Sequence, residues 1–177
     1  DKKYSEVGVI FQSEFLEILG RGYKGKFFDI KYKPIPNFSL NTNKVEYVAF
    51  DGKDVEFDVI SVLGDYLILT ELKALMTSYD FKDLEVKRKG SVEKAVQQLK
   101  RRAKSVVCDW EKFKELVSIQ LPDKPFDEEH IIMVACTDAF DFTPLRYDNV
   151  YITDDSTYLK YFTNPYIDSI ELKAKDV

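Results

Sequence analysis

With 177 residues, the chain has the length of one globular domain and can enclose a hydrophobic core without disulfides or a structural metal. A hydrophobic content of 45%, 14% aromatics and few Gly or Pro exclude disorder. No apolar run approaches the roughly 18 to 20 residues that cross a bilayer, so a soluble protein with no membrane partner is expected. The formal net charge of −5 excludes a uniformly basic surface, and any contact with nucleic acid has to come from a local patch.

In chain order, Tyr4 to Leu19 reads as a helix stopped by Gly20 and Gly22. At 100° per residue Val7, Ile10, Phe11, Phe15 and Ile18 form one apolar stripe, and Glu14 projects near its middle as an inward-facing carboxylate. Val9 and Leu16 lie on the opposite side. Strand-like runs follow at Phe27 to Tyr32 and Val45 to Phe50, with Pro34, Pro36 and Asn37 marking the loop between them. Asp51-Gly52 signals a hairpin turn into Val55 to Leu63, and Gly64-Asp65 a second turn into Tyr66 to Leu75, so three consecutive antiparallel strands are expected. Ser91 is placed to N-cap a long helix whose apolar positions Val92, Ala95, Val96, Leu99, Ala103, Val106, Trp110 and Phe113 keep a 3.6-residue period. Beyond Pro122 and Pro125 come strands at Ile131 to Cys136 and Val150 to Thr153, a helix capped by Asp154 or Asp155, and a last strand or helix at Ile167 to Leu172. The order gives one α/β domain over residues 1–177, with a mixed central sheet flanked by helices and no internal repeat.

Cys108 and Cys136 show no CxxC spacing, and with His130 as the single histidine there are too few soft ligands for zinc or for a Cys-His pair. Buried free thiols in a cytoplasmic protein are expected. The first residues, Asp1-Lys2-Lys3-Tyr4, run into the amphipathic pattern without an apolar leader, and a start other than Met is expected of trimming or of excision from a longer chain. His130 reads as a residue that precedes a strand, Asp138, Asp141 and Asp148 as turn residues, and Trp110 as core.

Charge is uneven along the chain. Lys87, Arg88, Lys89, Lys94, Lys100, Arg101, Arg102 and Lys104 against Glu93 give eight minus one, +7, between Val86 and Lys104, which leaves −12 elsewhere. A solvated helix face produces such a run; so does a phosphate-binding strip, in which Lys87, Arg88, Lys94, Gln97, Arg101 and Arg102 are the nucleic-acid contacts.

The chemistry concentrates between Val55 and Leu75. Strand alternation puts Glu56 with Asp58 and Glu71 with Lys73 on shared faces. A two-residue Gly64-Asp65 loop makes Leu63 face Tyr66, and counting back sets Asp58 opposite Glu71 and Glu56 opposite Lys73. Two carboxylates about 5 Å apart on an otherwise apolar hairpin repel. A divalent cation between them would turn repulsion into binding, and all-oxygen ligation points to Mg²⁺ or Mn²⁺. The plainer alternative is a set of ordinary ion pairs at a sheet end.

With those residues in place, the chain resembles the PD-(D/E)xK nucleases, the restriction-endonuclease-like family, over an α-β-β-β-α-β order from about Tyr4 to Thr137. Asp58 resembles the motif aspartate, Glu71 and Lys73 the ExK step, and Glu14 the acidic residue that many members carry on the first helix. Ala95-Val96-Gln97-Gln98-Leu99 resembles the Gln-Leu helix motif, although Arg102 stands where a Tyr often follows the Gln. The resemblance implies a Mg²⁺- or Mn²⁺-dependent hydrolase of DNA in restriction, defence, repair or mobile-element processing. It implies metal ligation by Asp58, Glu71 and the Leu72 carbonyl, with Glu14 direct or through water. Lys73 would orient the attacking water or stabilise developing charge, and Gln98 or Gln97 with Arg102 would contact phosphate. Glu56 would hold Lys73 or take a metal position itself. A nuclease-fold module that binds DNA or assembles protein without cutting is the alternative, and RNA, homodimers and companion domains of a longer protein stay open.

Overall fold

The computed structural model describes residues 2–23, 26–27, 30–31, 37–75, 80, 82, 84–139 and 142–163. Its core is a mixed six-stranded sheet with helices on both faces. Ten strands are described: β1 (Lys26–Phe27), β2 (Ile30–Lys31), β3 (Phe38–Leu40), β4 (Val45–Val48), β5 (Asp54–Phe57), β6 (Val59–Leu63), β7 (Tyr66–Lys73), β8 (Ile131–Thr137), β9 (Leu145–Tyr147) and β10 (Val150–Asp154). The helices are α1 (Lys2–Tyr23), α2 (Lys89–Cys108), α3 (Trp110–Leu116) and α4 (Asp155–Thr163). The main sheet runs β3-β6-β7-β8-β10-β9: β3, β6 and β7 are antiparallel, β8 and β10 continue parallel to β7, and β9 returns antiparallel.

The central strand β7 is buried from Leu67 through Leu72: the apolar Leu67-Ile68-Leu69 suits a strand covered on both sides, and the buried Thr70 and Glu71 that follow have polar partners, the Tyr158 hydroxyl and the Lys73 ammonium. On one face Phe15 and Leu19 of α1 and Tyr158 and Phe162 of α4 pack on Val59, Ile68, Leu72 and Val134. On the other, Val92, Ala95, Val96, Leu99 and Val106 of α2 and Phe113 of α3 pack on Ile60, Leu67, Leu69 and Ala135. Burying two such faces stabilises the fold by about 25 cal/mol per Å² of apolar surface removed from water, and that burial sets which side each polar residue meets.

The Gly64-Asp65 turn forms as its chemistry demands, with Gly64 at φ 58° and Leu63 opposite Tyr66. The meander differs from expectation. The run Val55 to Leu63 bends at Asp58, and β5 pairs with β4 in a separate two-stranded sheet. The cause is legible in burial: β4 and β5 alternate buried and exposed, a one-faced hairpin, whereas β6 is covered on both faces. Phe57 and Ile60 belong to the same core while Val59 joins the other, so the bend shifts the side-chain phase by one residue.

Other elements also shift. Among the described residues, the expected run from Phe27 falls in the short β1–β2 pairing of Lys26 with Lys31 and Phe27 with Ile30, and β3 and β9 lie where no strand is expected from the sequence. Ser91 is not an N-cap: a π-helical turn over Leu84–Arg88 precedes α2, and the Ser91 hydroxyl donates to the Lys87 carbonyl at 2.9 Å. Trp110 and Phe113 are core but belong to α3, which starts after a break at Asp109. His130 directly precedes β8 and lies against the Tyr66 ring, and Asp148 sits in the β9–β10 turn, both as expected. Cys136 is buried and its thiol pushed up by desolvation, whereas Cys108 is exposed, against the expectation of two buried thiols. Asp141 and Ile167 to Leu172 lie outside the described residues. No helix among the described residues is long and apolar enough to cross a membrane.

Asp154 caps α4: its Oδ1 accepts the Thr157 amide at 2.9 Å and the Ser156 hydroxyl at 2.5 Å. Desolvation opposes its ionisation, but these bonds outweigh burial and hold its carboxyl below the usual range. Asp154→Ala is expected to cost about 1 kcal/mol at pH 7. Because the folded pKa is depressed, the carboxylate's contribution is present above the ordinary value of 3.8 and lost as pH falls through the folded one. Urea unfolding of wild type and variant should therefore converge in acid; a pH-independent difference would contradict the assignment.

Candidate active site

Asp58 stands at the point where the β6–β7 ladder ends. The last pair is Val59 with Thr70, and Asp58 is the next residue along the chain, where the expected register would meet Glu71. Since its backbone bends away, the Leu72 amide of β7 would lose a partner there; Asp58 Oδ2 accepts it at 2.9 Å. From α1, Gln12 Nε2 donates to the Asp58 carbonyl at 3.0 Å and fixes the bend from the other side.

Glu71 and Lys73 share the α2-facing side of β7. The Glu71 side chain is 2% exposed, and its Oε1 lies 2.5 Å from Lys73 Nζ, which is 26% exposed. Its Oε2 meets the guanidinium of Arg102, buried on α2. Burial holds the Lys73 ammonium below the ordinary lysine range, with the Asp58 charge acting in the opposite direction. Burial likewise lowers Arg102, against the charges of Asp58 and Glu56. Two acids and two bases thus form one internally balanced cluster, three of whose members lie on neighbouring strand positions and the fourth on α2.

Two expected participants are elsewhere. Glu14 is exposed rather than inward-facing, because α1 buries Phe15 and Leu19 and half-buries Phe11, Gln12 and Leu16. Ile10 of the expected stripe is 57% exposed, so the docked face is turned and Gln12 is the polar residue on it. Glu56 does not oppose Lys73, since β5 has left the sheet; it is solvent-facing, 3.6 Å from Lys44. Among the described residues no group of three or more His, Cys, Asp or Glu is arranged to hold a metal. The carboxylates nearest Lys73 are Asp58 and Glu71, and their oxygens are engaged within the chain by the Leu72 amide, Lys73 and Arg102.

The basic strip divides among different tasks. Arg101 makes a fork on Asp51, at 2.8 Å and 3.0 Å, and also donates to the Asp54 and Lys53 carbonyls, so it fastens the β4–β5 hairpin to α2 and is engaged within the fold. Arg102 is turned inward to Glu71 rather than outward to a phosphate. Lys100 pairs with Asp148 at 3.0 Å, and Lys104 lies over the Phe50 ring. Lys87 is exposed and Arg88 half-buried in the π-helical turn. Lys94, Gln97 and Gln98 line an open cleft of about 870 Å³ together with Lys73, Gly90, Ser91, Glu93 and Tyr147. Hence the ammonium of the ExK step and the glutamines of α2 border one cavity, at the carboxyl end of a strand in the parallel part of the sheet, where open α/β sheets bind ligands.

Sequence reasoning missed Gln12 and Tyr147, and it gave Arg102 the wrong direction. The last had a signal: Ala95, Leu99, Arg102 and Val106 follow 4-3-4 spacing, which puts Arg102 on the buried stripe. Tyr147 was marked only by its place before the Asp148-Asn149 turn. Comparison of the chain with protein-family models, curated proteins and solved structures finds no match.

Proposed function

We propose that this chain is a metal-dependent phosphodiesterase that hydrolyses DNA on a restriction-endonuclease-like αβββαβ core. The observation that supports the reading is the Leu72 amide's hydrogen bond to Asp58 Oδ2, which holds Asp58 against β7 one position past the last β6–β7 pair, where Glu71 and Lys73 are ion-paired and Lys73 is at the wall of the cleft. With the small β1–β2 and β4–β5 sheets set aside, and β3 in the place expected of the run at Val45, the order α1, β3, β6, β7, α2, β8 is compatible with that core. Asp58, Glu71 and the Leu72 carbonyl would hold Mg²⁺ or Mn²⁺, which supplies a polarised phosphoryl group and a water acidic enough to attack. The four protein charges already balance, so metal affinity is expected to rest largely on the substrate phosphate. Lys73 supplies a preorganised positive charge for the phosphorane, in a half-buried position where water screens it weakly. Gln98, Gln97 and Lys94 contact the strand along α2. Restriction, defence, repair and mobile-element processing all use such a reaction.

One observation favours a second reading, a nuclease-fold module that binds DNA or assembles protein without cutting. Both Glu71 oxygens have cationic partners within the chain, so the cluster is compensated without a metal. Mg²⁺-dependent cleavage of plasmid, linear, branched and single-stranded DNA, with RNA alongside, decides between them. Wild type is expected to cut and Asp58→Ala to lose activity, with Mn²⁺ binding by calorimetry lost in the same variant. Equal cleavage by both proteins would remove the site assignment; no cleavage and no Asp58-dependent metal binding would favour the module.

A further inference from the structure

We infer that the cleft beside Lys73 receives a single unpaired nucleotide of a DNA strand, with its base stacked on Tyr147. This rests on the proposed function and narrows its substrate to strands with unpaired bases. Tyr147 is the aromatic residue of the cleft lining and is 50% exposed, so its ring is not used by the core. It is nonetheless held in place. Tyr147 pairs with Val150 across a two-residue turn in which Asp148 and Asn149 both have positive φ, 48° and 65°. Lys100 of α2 meets Asp148 of that turn at 3.0 Å, so the turn that carries Tyr147 lies beside the helix whose Lys94, Gln97 and Gln98 also line the cleft.

That lining has the chemistry of a base edge. Gln97 and Gln98 each carry an amide donor and acceptor, and Lys94 and Lys73 carry the positive charge a phosphate needs. Glu93, also in the lining, repels phosphate and leaves the two lysines as its partners. The open cleft, about 870 Å³, has room for one nucleotide. A base inside a duplex shows side chains only its edges; to lie flat on an aromatic ring it must be unpaired.

The test is fluorescence anisotropy of the full chain with a labelled single strand and with the matching duplex, in Ca²⁺ to prevent turnover. Tyr147→Ala should weaken single-strand binding about tenfold, the usual effect of losing one stacked base. Tyr147→Phe should bind like wild type, and duplex binding should be unchanged in both. Unaltered single-strand binding by Tyr147→Ala, or an equal loss for the duplex, overturns the inference while cleavage dependent on Asp58 leaves the proposed function standing. Conversely, Tyr147-dependent strand binding without any cleavage supports the inference and removes only the catalytic half of that function. A chain that binds neither strand nor duplex overturns both.

Discussion

Arg102→Met is expected to lower the stability of the chain by about 3 kcal/mol, roughly 6 to 12 °C in Tm for a domain of this size. The reason is where the guanidinium points. Glu71 is 2% exposed, and without Arg102 one of its oxygens is left in a dry site with no cation of its own. Removing one partner of a buried pair costs more than the pair contributes, because the remaining charge keeps its desolvation penalty. Lys73 still meets Oε1, which holds the loss toward the lower end of the range for such changes. The double variant Arg102→Met with Glu71→Gln should recover most of the stability, since the fully buried carboxylate is gone and the charges left, Asp58 and the half-buried Lys73, balance each other. Urea unfolding of the two single variants and the double variant measures this. A single variant as stable as wild type would mean that Arg102 is not the counter-ion of Glu71.

Lys73→Ala is expected to reduce the cleavage rate by about 10² to 10³, the range for deleting one preorganised charge at a developing oxyanion. Strand binding should change only a few-fold, because Lys94 and the α2 glutamines remain. The ammonium reaches its position through packing: Glu71 fixes it at 2.5 Å, and burial keeps bulk water from screening it. Lys73→Arg should not restore the rate, since a planar fork cannot occupy the place of a compact point charge. Single-turnover cleavage in Mg²⁺ reads the step directly. Wild-type rates in Lys73→Ala would remove this residue from the chemistry, whatever the fate of Asp58.

How much of the site could be read in the sequence follows the range of the forces involved. The Gly64-Asp65 turn needs only a positive φ at one glycine, and strand alternation needs only the pleat. Together they were enough to bring Asp58 to Glu71 and Lys73 to the same face, because every step between them is local. Counting two residues further failed at Glu56. The alternating burial of β4 and β5 peels that hairpin off the sheet, and no rule of pairing announces the bend at Asp58. On α1 periodicity pointed to the stripe of Ile10, Phe11, Phe15 and Ile18 with Glu14 inward, but Val9 and Leu16 left a second face apolar; docking on the sheet and α4 turned the helix, leaving Ile10 and Glu14 in solvent and Gln12 half-buried.

Local pattern was enough for the α/β composition, the Asp51-Gly52 and Gly64-Asp65 turns, and the shared face of Glu71 and Lys73. These depend on backbone sterics and on patterns within a few residues. Tertiary structure alone decided that Arg102 compensates Glu71, that Arg101 clamps a hairpin, and that Tyr147 and Gln97 line one cleft. Each of those joins residues tens of positions apart. Which of many competing charges and rings become neighbours is fixed by how the layers stack, a choice made by the whole buried surface at once.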